Sequence, residues 1–360
     1  MSLLIPVLAA GLNSMINYSP RTGPWSLSEI KQIQNNGRTV FSCFHCGGGS
    51  TMGYKLAGYT VLGGVEIDPD MMALYRKNHN PLFSYLMGVQ EFKNIPDAQL
   101  PEHLFQLDIL DGSPPCSSFS LSGNREKNWG EKKKFREGQT EQVLDDLFFD
   151  FIDIATKLKP KIVVAENVRG LIAGAARGYV KQIFQAFEKA GYRAQLFLVS
   201  AATMGVPQKR ERVFFIASRK DLNYPPIKLQ FEEKYISVKK AFQGIPEGLP
   251  VRKLSDESTR LWGEVLPGDR FSSATGGSRF NDWKLPINAP AGTITANGTI
   301  LHPSEPRHLN DVEFARLQSF PDDYDFLTQK AQYVCGMSVP PFMMQRIADQ
   351  IQKQWLDNGG

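Results

Sequence analysis

The chain has little cysteine, four residues in 360. So few in so long a chain exclude a secreted disulfide scaffold and fit a reducing compartment. Long apolar runs are also missing. No window reaches the roughly 18 apolar residues of a spanning helix, and Leu3 to Leu12 lacks the basic flank of a signal peptide. A soluble, intracellular protein without membrane association is expected. Strong net charge is absent too: 41 Lys and Arg against 37 Asp and Glu leave +4. Any polyanionic partner must therefore meet a local concentration of positive charge. There is no fixed-period repeat and no low-complexity tract. What is present, 42% hydrophobic and 22% charged residues, is the composition of a globular protein. The length predicts about two domains.

Residues 1–38 read as an N-terminal extension packed on the body, with one helix announced by Ser26 and Glu29 in capping-box spacing. From Thr39 onward, β-rich runs alternate with helical ones. Strands are predicted over 39–44, 59–67, 104–110, 161–165, 192–200 and 212–217. Helices are predicted over 50–57, 68–78, 142–158, 179–190 and 341–355. This alternation implies an α/β fold with a doubly wound, mostly parallel sheet. From Asp221 to Pro306 the rhythm breaks into loops rich in Pro, Gly and Ser, which reads as a smaller second domain. The expected division is an extension at 1–38, a sheet domain at 39–220 and 331–360, and a loop-rich domain at 221–330.

Four groups of residues fall where strands end. Phe44-His45-Cys46-Gly47-Gly48-Gly49 follows the first strand, so the backbone there can approach a ligand closely and a helix begins beside it. Glu66, Ile67 and Asp68 close the second strand, where a nucleotide-binding fold places its ribose carboxylate. The glycines do not spell G-x-G-x-x-G, which counts against a nicotinamide-dependent redox enzyme. Cys43 and Cys46 form a lone C-x-x-C with no second pair to complete a metal site, so no metal is expected. Ser113-Pro114-Pro115-Cys116 follows another strand, and Cys116 reads either as a nucleophile or as a structural cysteine. Glu166 and Asn167 follow the next core strand, where a carboxyl group can serve as an acid. Gln208, Arg210 and Arg212 alternate ahead of a further strand, either as a ligand-facing row or as a solvated charge run. Thr293-Ile294-Thr295, two threonines in a β-like run, reads as structural.

Taken in order, these motifs resemble the C5-cytosine DNA methyltransferases. The match includes Pro114 to Cys116, Glu166 to Val168, Gln208 to Arg212, Arg316 to Gln318 and Gly336 to Pro341, and it covers nearly everything from Thr39 onward. The resemblance implies a methyltransferase sheet domain with 221–330 as target-recognition domain, and double-stranded DNA and S-adenosylmethionine as substrates. It implies Cys116 as the thiolate attacking C6 of a flipped cytosine, Glu166 at N3, Arg212 at O2, and Asn167, Arg210 and Gln208 in support. On the cofactor side it implies Phe44 to Gly49, Glu66, Ile67, Val89, Pro115, Met337 and Ser338. Ser122 to Gln139 would be a basic loop closing over DNA. A cytoplasmic location in a prokaryotic cell or viral host, and a restriction endonuclease partner, also accord with it.

Three positions depart from the family pattern. Cys46 stands at the first glycine of Phe-x-Gly-x-Gly, Val89 where an Asp often meets the adenine, and Met337 where an Asn is usual. All three lie on the cofactor side, which predicts altered cofactor binding with intact base chemistry. The rivals are a tRNA cytosine-5 methyltransferase, disfavoured by the lack of a Cys-Phe-Thr tripeptide, and a non-catalytic DNA-binding relative of the same fold.

Overall fold

The computed structural model describes residues 25–115, 146–173, 177–277, 279 and 282–357, with the backbone of 132–133 and 142–143. Seven strands build the main sheet: β1 (Thr39–Cys43), β2 (Thr60–Glu66), β3 (Phe83–Leu86), β4 (Ile109–Gly112), β5 (Ile162–Val168), β6 (Tyr192–Ser200) and β7 (Glu211–Arg219). Their spatial order is β3-β2-β1-β4-β5-β7-β6. The first five run parallel, and β7 lies antiparallel to both β5 and β6. The strand order reverses between β1 and β4. In open α/β sheets that switch point opens a crevice beyond the carboxyl ends of the strands, where ligands bind.

The helices cover both faces. α1 (Leu27–Ile30) precedes the sheet, and Ser26 N–H donates to Glu29 Oε1 at 2.9 Å in the expected cap. Trp25 Nε1 donates to Ser319 O at 3.1 Å, so this part of the extension packs on the body. α2 (Gly49–Leu56), α3 (Pro69–His79) and the late helix α10 (Pro341–Ile351) pack on one face, with Val40, Ile109, Ile162, Val164 and Phe214. α4 (Val89–Lys93), α5 (Leu147–Leu158) and α6 (Arg177–Lys189) pack on the other, with Phe41, Leu110, Val163 and Phe215. Alternate residues of one strand thus serve opposite cores, as the pleat requires. α2 and α10 approach closely because Gly53 has no side chain: a Cβ there would lie 2.5 Å from Met344 Cβ and 2.6 Å from Pro341 O.

Two expected elements need correction. The strand expected from Leu104 begins only at Ile109, because Pro101 starts a 3-10 turn over Glu102–Phe105. Its apolar Leu104 and Leu107 enter the core from that turn and the following bend. The helix expected from Gln142 begins at Leu147, and Gln142–Val143 forms a short antiparallel pair with Lys132–Lys133. The segment after Asp221 carries few regular elements. α7 (Asp256–Glu264) and the parallel pair Asp282–Lys284 with Thr299–Leu301 surround a small apolar cluster of Leu261, Val265, Phe271 and Leu301. Residues Leu309 to Phe326, including α8 (Asp311–Leu317), instead join the core beneath the main sheet. α9 (Ala331–Met337) follows in the chain and leads into α10. Among the described residues, no helix is long and apolar enough to cross a membrane.

Candidate active site

The glycine loop leaves β1 at the switch point with unusual backbone angles. Phe44 has φ 55° and Cys46 φ 49°, the left-handed region that side chains disfavour. Glu66, at the end of β2, holds this turn: its Oε2 accepts from Cys46 N at 2.9 Å. Its Oε1 accepts from Ile67 N at 2.9 Å and Asp68 N at 3.0 Å. Burial raises the Glu66 carboxyl above its ordinary range, and these amide bonds oppose the rise. Gly48, at φ 84°, lies so close to His79 that a Cβ would sit 2.2 Å from Nε2. His79 Nε2 also contacts Gly47 O at 3.1 Å, and Tyr324 O–H donates to the same carbonyl at 2.6 Å. His45 stacks on Tyr75 with ring centroids 3.7 Å apart. Burial lowers His45 to about 4 and His79 to about 3, so both rings are neutral at physiological pH.

The departures from the family pattern have distinct surroundings. The Cys46 thiol lies 3.5 Å from Met71 Sδ and also meets the Ser338 hydroxyl, so it packs against α3 and the turn after α9. Burial first, then the Glu66 charge, pushes this thiol up to about 12. Val89 is buried at the start of α4. Met337 ends α9 and is exposed, whereas Ser338 is buried, with its hydroxyl donating to Val334 O at 2.7 Å.

The residues expected to act on a base gather at the same edge. Arg212, near the start of β7, pairs in register with Val168. Its Nε lies 2.9 Å from Glu166 Oε1, and its Nη1 donates to Glu211 O at 2.8 Å. Both side chains are only 12% exposed, so the ion pair sits in a partly desolvated pocket. Asn167 points to the opposite face of β5, and its Nδ2 donates to Pro114 O at 3.0 Å. It thereby ties β5 to the Pro114-Pro115 turn. Cys116 and the basic stretch Ser122–Gln139 lie outside the described residues.

The expected row of Gln208, Arg210 and Arg212 does not form one ligand-facing surface. Gln208 is fully buried: Nε2 donates to Leu317 O and Gln318 Oε1, and Oε1 accepts from Ile294 N at 2.9 Å. Arg210 is 2% exposed and donates to Ile294 O at 3.0 Å and Gly336 O at 2.8 Å. The chain turns between Lys209 and Glu211, which breaks the strand alternation. These two residues clamp Thr293-Ile294-Thr295 and the end of α9 to the sheet. Sequence reasoning missed Asp111, Tyr54 and Ser42, a buried polar group beneath the site. Nothing in the spacing marks them, because they meet only where α2 packs across β1 and β4.

The fold and the edge together define a nucleotide-type enzyme site, and comparison with known proteins names its class. The family model for the C-5 cytosine-specific DNA methylase matches residues 39–266 and 267–353, so the chain belongs to that family. It is a DNA cytosine-5 methyltransferase. It is 27% identical over 351 residues to the type II methyltransferase M.FnuDI of Fusobacterium nucleatum, covering 88% of this chain and 95% of that one. It is 28% identical over 359 residues to M.NgoFVII of Neisseria gonorrhoeae, covering 91% of each. The fold is similar to that of a DNA modification methyltransferase encoded within an E. coli prophage, at TM-score 0.70 and 20% identity over 89% of this chain and all of that one. It also resembles Spodoptera frugiperda DNMT2, at TM-score 0.59 and 15% identity over 88% and 99% of the two chains.

Proposed function

We propose that the protein flips a cytosine out of duplex DNA, attacks C6 with the Cys116 thiolate and methylates C5 from S-adenosylmethionine. The observation that carries this reading is the Glu166–Arg212 pair beside the Pro114-Pro115 turn that Asn167 holds. C6 of cytosine is a poor electrophile, so a soft nucleophile and an acid must act together. Glu166 supplies the acid at N3, and Arg212 orients it while offering a donor to O2. Attack forms a bond from sulfur to C6 and moves electron density to C5. After methylation the C5 proton passes to solvent and the Cys116 thiolate leaves C6, which restores the ring. The target atom lies inside the base stack, which is why flipping is required.

The residues at the glycine loop fit the cofactor. A carboxylate offers about four lone-pair sites, and backbone amides take three of those on Glu66. The site left on Oε2 suits a ribose hydroxyl. When bound, S-adenosylmethionine supplies an electrophilic methyl group. Phe44, His45, Cys46 to Gly49, Ile67 and Pro115 surround that position on the chain, with Val89, Met337 and Ser338 at its margins. We assign target recognition to the loop-rich segment from Asp221 to Pro306, and phosphate contact to the basic stretch after Cys116. The likeness to type II methyltransferases supports a role paired with a restriction endonuclease.

The test uses duplexes amplified with 5-fluorocytosine, which cannot release fluorine as a cation. With S-adenosylmethionine, the wild-type protein should form a denaturation-resistant adduct, and Cys116→Ala should not. Absence of an adduct on amplified genomic DNA, or an adduct in the variant, overturns the reading.

A further inference from the structure

The face of the sheet that carries Glu166 and Arg212 also buries a third charged group. Asp111 of β4 is 2% exposed and lies in register with Ser42 of β1 and Val164 of β5. Its Oδ2 accepts from Ser42 Oγ at 2.8 Å, and its Oδ1 from Tyr54 O–H of α2 at 3.2 Å. The Ser50 hydroxyl, in the first turn of α2, also bonds to it. These donors lie on the strand and helix that flank the glycine loop, while Asp111 itself stands five residues before Cys116 in the sequence. A carboxylate buried against three hydroxyls is a costly group, and nothing in the base chemistry above uses it.

We propose that Asp111 is a proton-linked positioning residue: its ionised carboxylate binds the strand and helix flanking the glycine loop to the strand that leads into the Pro114-Pro115 turn, so that cofactor and base sides keep one register. As an anion it accepts from every hydroxyl. Once protonated it must give one oxygen to a proton, and the join between β4 and α2 loosens. Burial pushes this carboxyl up to about 7, a displacement that the Ser42 and Tyr54 donors oppose and the Glu166 charge increases. The change of state therefore falls at physiological pH. Among the described residues, the other titratable groups whose charge acts on Asp111 are Tyr54, Tyr75 of α3, Cys43 of β1 and Glu166. Burial raises Tyr54, Tyr75 and Cys43 far beyond neutrality. His45 and His79 titrate at about 4 and 3, below the same window.

This inference rests on the methyltransferase reading and is tested apart from it. S-adenosylmethionine binding to the whole protein is followed by calorimetry from pH 5.5 to 8.5, with single-turnover transfer to amplified, unmethylated genomic DNA in parallel. Wild-type affinity should fall about fivefold to tenfold on acidification through pH 7. Asp111→Asn, a permanently uncharged mimic of the acid form, should bind at the weaker level throughout, without the inflection. Tyr54→Phe removes one donor to the anion and keeps the ring, so its inflection should move to higher pH. It serves as a second test should the Asn variant fold poorly. The same inflection in Asp111→Asn as in wild type, or an unmoved inflection in Tyr54→Phe, overturns the proposal. A wild-type protein that binds no cofactor and transfers no methyl group at any pH overturns the functional reading instead.

Discussion

Replacing Glu66 by Gln isolates what holds the glycine loop in shape. The carboxylate serves three amides, one through Oε2 and two through Oε1. Glutamine has a single acceptor oxygen, so its NH2 must face either Cys46 N–H or the pair from Ile67 and Asp68. At least one donor is then left facing another donor. A buried donor without a partner costs about 1–3 kcal/mol. Part of that is returned because burial disfavours the charge on Glu66, as its raised pKa indicates. The net expectation for Glu66→Gln is a loss of about 1–2 kcal/mol, with a larger loss for Glu66→Ala, which deserts all three amides. Denaturant unfolding without cofactor measures it directly. A Glu66→Gln protein as stable as wild type would show that the amides find water instead, and that the loop is held by its glycines and by Tyr324.

Two further substitutions probe the two sides of the site. Cys46→Gly removes a side chain held at φ 49°; relief of about 1 kcal/mol of left-handed strain should roughly cancel the lost contact with Met71 and the extra glycine entropy. Stability should therefore change little, while S-adenosylmethionine should bind at least about threefold tighter by calorimetry if the Cβ crowds the loop; equal or weaker binding refutes crowding. Arg212→Lys keeps the charge, but a point charge cannot hold both Glu166 and Glu211 O as the planar guanidinium does. Tritium transfer to DNA should fall by about tenfold or more, roughly 1.4 kcal/mol in the transition state, and wild-type rates would refute an orienting role.

The parts of this molecule that could be read from its sequence are those made by local chemistry. β1 and α2 are legible because β-formers run into glycines, and α3 because Asp68 and Pro69 start it and the Asp68 carboxylate caps Asp70 N at 2.9 Å. The strand expected from Leu104 shows the limit of an apolar run, since Leu104 reaches the core from a 3-10 turn, and Leu107 from the stretch after it, as well as they would from a strand. Asp108 marks the true start: it accepts from Thr39 N and Lys161 Nζ, both at 2.8 Å, and so aligns the beginnings of β1, β4 and β5. No neighbour in sequence announces that role. β3 and α4 escaped notice because four or five residues hold too few periods to register.

The same contrast explains why the site was easier to name than to apportion. The motif residues are recognisable one by one, but what each does depends on partners far along the chain. Arg210 and Arg212 look alike in the sequence, two residues apart. Arg212 lies in register with Val168 and meets the carboxylate at the end of β5, whereas Arg210 sits at the turn and spends two nitrogens on carbonyls 84 and 126 residues away. The first thus stays at the sheet edge, paired with Glu166, and the second is fixed as a strut between the loop-rich segment and α9. Burial separates them further, for it lowers the Arg210 pKa well below its ordinary value, with Arg212 beside it adding to the cost, and among the described residues no carboxylate bonds to Arg210 in return. That cost is borne in a structural role: with Gln208, Arg210 fastens residues 293–295, which lie within the segment assigned to reading DNA, to the edge of the sheet.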